Sequence, residues 1–168
     1  MPQFWIISIG YLFVAVNFQI NGLGLLLPTC LGYALIAGAS WSLRDVSPVF
    51  QVATLPAAVL GVITIPDVVR GAMDTGEYHY WAWWPSLILE IALFVLIAIG
   101  LWLVSQLKGI HWLRWAAIAS APILVIALLS WQLIPVTSNA TLIASFLIYE
   151  VPSFYLAAVN YGAAKSVA

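Results

Sequence analysis

The chain has 168 residues, 64% of them hydrophobic and 7% charged, and its formal net charge is −1. An ordinary soluble domain carries about a quarter of its residues as charges, so there are too few polar side chains here to cover a water-facing surface. The near-neutral balance leaves no basic footprint for nucleic acid, and the single cysteine, Cys30, excludes an internal disulfide or a thiolate metal cluster.

The opening Met-Pro-Gln-Phe-Trp lacks the Lys or Arg that begins a signal peptide, so the first hydrophobic span is expected to remain as an anchor. No Asp, Glu, Lys or Arg precedes Arg44. That run is too long for one helix, because about 20 residues cross the hydrocarbon core. The Asn21-Gly22 turn signal divides it, predicting helices over 4–20 and 25–43. Arg44-Asp45-Val46-Ser47-Pro48 reads as a compact polar turn with Pro48 suited to a helix start, and a third helix is predicted over 49–69.

The stretch 65–85 contains Asp67, Arg70, Asp74 and Glu77, four of the eleven formal charges, followed by Tyr78, Tyr80, Trp81, Trp83 and Trp84. Such amphipathic aromatics settle at a membrane–water interface. Residues 70–84 are therefore expected to form an outer loop between two halves of three helices. Beyond it, helices are predicted over 85–107, 115–134 and 140–162. A basic loop from Lys108 to Arg114 separates the first two. A turn from Pro135 to Asn139, with Ser138 or Asn139 as a natural N-cap, separates the last two. The predicted fold is all-α: one domain, an integral membrane bundle of six transmembrane helices.

Six spans place both termini on one side. That side collects Arg44, Lys108, Arg114 and Lys165, whereas the other has only Arg70. Lys and Arg accumulate on the cytoplasmic face, so cytoplasmic termini in a cell membrane are expected. Small residues recur every fourth position in helix 2 (Cys30, Ala34, Gly38, Ser42) and helix 3 (Ala53, Ala57, Gly61). Residues four apart share a helix face, and small ones let backbones approach where lipid gives no hydrophobic drive. These two ridges are predicted to pack on one another.

Glu150 falls about 16 Å into its helix, near the bilayer middle, two residues before the helix-interrupting Pro152. A carboxylate there must be protonated, paired or exposed to a wet cavity. It reads either as a proton or cation site, with Glu90 as a possible neighbour, or as a neutral hydrogen-bonding contact between helices. Glu90 lies only about 9 Å in from Trp84 and demands less explanation. His79 and His111 fall in opposite loops, so no shared metal or cofactor is expected of them. No His-Glu-x-x-His or Gly-x-Ser-x-Gly run marks catalytic chemistry. Prolines interrupt the second and third spans of both halves (Pro28, Pro56, Pro122 and Pro152), a pattern known from transporters with inverted repeats. No run of residue identities aligns the halves.

The segment 18–36 carries Ile20, Asn21, Gly22, Leu27, Pro28, Gly32 and Tyr33. In these residues it resembles an uncharacterised group of small multipass membrane proteins from Gram-positive bacteria. Thr29 stands where that group has Asp. The resemblance implies a bacterial cytoplasmic membrane and no particular chemistry. Function is thus expected to be non-enzymatic, as a subunit or accessory of a membrane assembly, with the bilayer and a membrane-protein partner or second copy as its contacts. The alternative is a small carrier or substrate-capturing subunit that uses Glu150.

Overall fold

The computed structural model describes residues 1–15, 29–65, 83–133 and 139–167, with the backbone alone for 83–84, 128–133 and 139–150. Six helices and no strand form among them: α1 Pro2–Ala15, α2 Thr29–Ser42, α3 Pro48–Ile63, α4 Trp83–Lys108, α5 His111–Leu133 and α6 Asn139–Ser166. The Asn21-Gly22 turn, the expected outer loop up to residue 82 and the turn over 134–138 lie outside the described residues.

Local chemistry sets two of the junctions. Ser47 is extended (φ −158°) and its Oγ accepts from the Val49 N–H at 3.4 Å, so it caps α3. Pro48 then takes the first helical position, where a missing N–H leaves no bond unmade. Between α4 and α5 the sequence predicts a seven-residue loop, Lys108 to Arg114, and the structure corrects this to two residues. Gly109 adopts φ +67°, a left-handed conformation that glycine accepts without steric cost. The Ile110 N–H then bonds the Ser105 carbonyl at 3.0 Å, the closing bond of a glycine C-cap. His111, Trp112 and Arg114 consequently sit in the first turn of α5. Their polarity marks a helix end, not a loop.

The helices form a closed ring in chain order. Each packs antiparallel on the next, α6 returns to α1, and α4 touches α6 across the middle. The backbones of α1 and α2 approach closely, since a Cβ on Gly32 would lie 2.7 Å from the Gly10 carbonyl oxygen. Ser8 Oγ donates to the Ala157 carbonyl at 2.7 Å to join α1 to α6. Tyr155 Oη donates to the Ala116 carbonyl at 2.6 Å to join α6 to α5. In the interior, Phe4 of α1 meets Phe50 of α3 edge-on at 5.9 Å, among fully buried Ile7, Ile36, Ile97 and Leu101.

The small-residue ridges divide. Ala53 and Ala57 are fully buried, and a Cβ on Gly61 would lie within 3.8 Å of Cys30, Tyr33 and Ala34 of α2. On α2, however, Ala34, Gly38 and Ser42 are exposed, Cys30 is half-buried, and no described residue comes within 4 Å of where a Gly38 Cβ would be. Of the expected α2 ridge, Cys30 and Ala34 therefore lie near Gly61 of α3, while Gly38 and Ser42 are exposed. α2 turns Gly32, Tyr33, Ile36, Ala39 and Leu43 inward instead, and the tight Gly10–Gly32 contact fixes that rotation.

The outside of the ring is as apolar as the inside. Val52, Leu55, Val59 and Val62 of α3 and Trp5, Ile9 and Leu12 of α1 are all exposed. One described helix is long and apolar enough to cross a membrane, α4 from Pro85 to Lys108, 24 residues or about 36 Å. α1, α3 and the part of α5 up to Ala127 are apolar and shorter.

Candidate functional site

Among the described residues the polar side chains inside the ring are few, and Glu90 is the one carboxyl among them. It sits on α4, half-buried, seven residues after the helix begins. Tyr33, 2% exposed on α2, donates its hydroxyl hydrogen to Glu90 Oε1 at 2.9 Å. The bond spans the interior, since α2 and α4 are separated on the ring by α3.

Tyr11 of α1 is a second buried phenol of the interior. It is 4% exposed and lies within electrostatic reach of Glu90. Its hydroxyl has no hydrogen-bond partner among the described residues. A buried phenol usually finds a partner for its O–H, so this hydroxyl has bonding capacity to spare among the described residues. The described ion pair, Arg44–Asp45 at 3.8 Å, lies elsewhere on exposed side chains. A carboxyl, a phenol bonded to it and a second phenol with bonding capacity to spare make an arrangement that can hold a proton or a small cation.

Two further buried polar atoms lack partners among the described residues, Ser40 Oγ and Asn160 Oδ1. Asn160 is fully buried in α6 and donates through Nδ2 to the Leu156 carbonyl at 2.8 Å. Among the described residues no three His, Cys, Asp or Glu side chains gather as metal ligands.

Glu150 falls in α6, but its side chain lies outside the described residues, as do Asp67, Arg70, Asp74, Glu77 and His79. Of the two carboxyls singled out from the sequence, the described structure gives geometry to Glu90. Sequence reasoning passed over both tyrosines. The available signal was a phenol in the middle of an apolar helix, which carries a hydroxyl that must be satisfied. Pairing Tyr33 with Glu90, 57 positions away, requires knowing which way α2 is rotated.

No protein-family model matches the chain, and neither a curated protein nor a solved structure matches it.

Proposed function

We propose that the chain crosses a bacterial cytoplasmic membrane six times, with both termini on the cytoplasmic side, and that Glu90 exchanges a proton or binds a small cation inside the bundle. The crossing is supported by the ring's outer surface. Leu55 and Val62 are 69% and 66% exposed, and helices apolar on every face belong in a large core or a bilayer. The sidedness is supported by Arg44, Lys108, Arg114 and Lys165, which the antiparallel ring gathers at one end. The bacterial setting comes from the resemblance of segment 18–36.

The functional reading is carried by the Tyr33–Glu90 hydrogen bond, with the Tyr11 hydroxyl, which has no partner among the described residues, in the same interior. An ionisable group inside a membrane bundle is expensive and is kept where it binds or relays something. Tyr33 satisfies one lone pair of the carboxyl, which leaves the group able to take a proton or cation, and Tyr11 supplies a further oxygen. No bond need be made or broken in a substrate, so the role is non-enzymatic. Glu150, on α6, is a second candidate for the same path.

The test is flux in proteoliposomes that trap a pH-sensitive dye, with proton, sodium and potassium gradients applied in turn. Wild-type protein should dissipate at least one gradient. Glu90→Gln should slow it tenfold or more while eluting as folded protein. Equal rates for the two, or no flux by wild type under any gradient, contradict the reading.

A second reading, a packing subunit of a larger assembly, is favoured by the outward face of α2. Ala34, Gly38 and Ser42 are exposed there among the described residues, the kind of small-residue surface on which membrane helices associate. A partner retained in mild detergent and lost on Gly38→Leu would support it.

A further inference from the structure

The closed antiparallel ring brings one end of every helix together. The starts of α1, α3 and α5 and the ends of α2, α4 and α6 share that end. Four cationic side chains lie there, Arg44, Lys108, Arg114 and Lys165, against one acid, Asp45. Four positive charges less one negative leaves +3. Asp45 is 88% exposed and meets Arg44 only at 3.8 Å, so it offsets little of this.

The cations are not grouped in one pocket. They occupy three corners of the rim, and exposed aromatic side chains stand at each. Arg44 lies 4.5 Å over the Trp41 ring at the end of α2. Lys165 lies 4.4 Å over Tyr161 on α6, whose ring meets Trp5 of α1 edge-on at 4.5 Å. Lys108 and Arg114 flank the Gly109 turn, with exposed Trp112 and Trp115 beside them.

We propose that this rim binds the headgroups of anionic phospholipids in the leaflet it faces, an inference that rests on the six-span reading. Three features select this occupant. The charge is complementary to a surface of phosphodiesters, towards which each Lys or Arg adds attraction. Distribution around the whole circumference suits many separate headgroups and not one compact anion. Stacking on aromatic rings holds the Arg44 and Lys165 charges at the depth where Trp and Tyr settle, just outside the hydrocarbon, as long basic side chains do when they extend to an interface.

The test uses the full chain in vesicles of phosphatidylcholine with one part in five phosphatidylglycerol. The protein is extracted in mild detergent, and the lipid it retains is quantified by mass spectrometry. Phosphatidylglycerol should be enriched severalfold over its share of the vesicle. Each cation replaced, through Arg44→Gln, Lys108→Gln, Arg114→Gln or Lys165→Gln, should lower that preference, by up to about fivefold at low salt. These side chains are exposed, so the variants should remain folded, and retained phosphatidylcholine reports this directly. Retained lipid at the bulk ratio overturns the proposal, as does unchanged enrichment in the fourfold variant. Loss of the enrichment to millimolar free glycerophosphate would assign the rim to soluble anions and overturn it too. Protein that alkaline washing strips from the vesicles would overturn the six-span reading and this one with it. Resistance to washing without enrichment would overturn the rim alone.

Discussion

The interior cluster and the basic rim are both polar, yet they are built on opposite rules. Inside the ring, Tyr11 and Tyr33 are buried and Glu90 half-buried, and one hydrogen bond of 2.9 Å between helices settles where two of them lie. On the rim, Arg44 and Lys165 keep their charges near solvent and lay them over aromatic faces. An unmet polar group is costly in an apolar interior. On the rim water is at hand, and individual contacts count for little. The comparison teaches that the ring is specified from inside, by backbone approach and a few paired groups, while the rim decides only how the ring sits.

That contrast breaks most readily at the glycines. Gly32→Leu would push a side chain into the Gly10 carbonyl, and neither backbone can yield. A loss of about 3 kcal/mol or more is expected, read as a large drop in thermal midpoint in detergent. Gly38→Leu, on the same helix with no described residue within 4 Å, should leave the midpoint unchanged or raised. Similar losses for both would refute the assigned rotation of α2.

Next come the paired groups. Glu90→Ala leaves the Tyr33 hydroxyl without the acceptor it has here, for an expected loss of about 2 kcal/mol. Tyr33→Phe removes the donor and should cost about 1 kcal/mol. Combining the two should cost less than their sum, and strict additivity in a double-mutant cycle would show that the pair does not interact. Tyr11→Phe deletes a hydroxyl that has no described partner. It should hardly move stability while still reducing the flux attributed to Glu90, and a clear destabilisation would mean that the hydroxyl is already paired. The smallest effect belongs to the rim, where Lys165→Gln should change stability by no more than about 0.5 kcal/mol.

How much of this was legible beforehand follows from the same physics. The six described helices were readable because polar turns and Pro48 interrupt an apolar chain at helix-length intervals. The start of α5 was not, since Lys108 to Arg114 has a loop's composition and a single left-handed glycine does the turning. Helix rotation was the hardest to read. In a soluble protein hydrophobic periodicity names the buried face, but α2 and α3 are apolar all round and the pattern says nothing. Small residues served as the substitute cue; Ala53 and Ala57 are buried and Gly38 is exposed. The same gap hid the site. Glu90 looked shallow and unremarkable, and only the inward turn of Tyr33 marks it out.

Threading is the premise beneath both regions, and one labelling experiment tests it most directly. In a Cys30→Ser background, cysteines placed singly at Arg44, Lys108, Arg114 and Lys165 are exposed to a membrane-impermeant thiol reagent in sealed vesicles of known orientation. The account predicts that all four react from the cytoplasmic face and none from the other. Reaction of Lys108→Cys or Arg114→Cys from the face opposite to Lys165→Cys would contradict it.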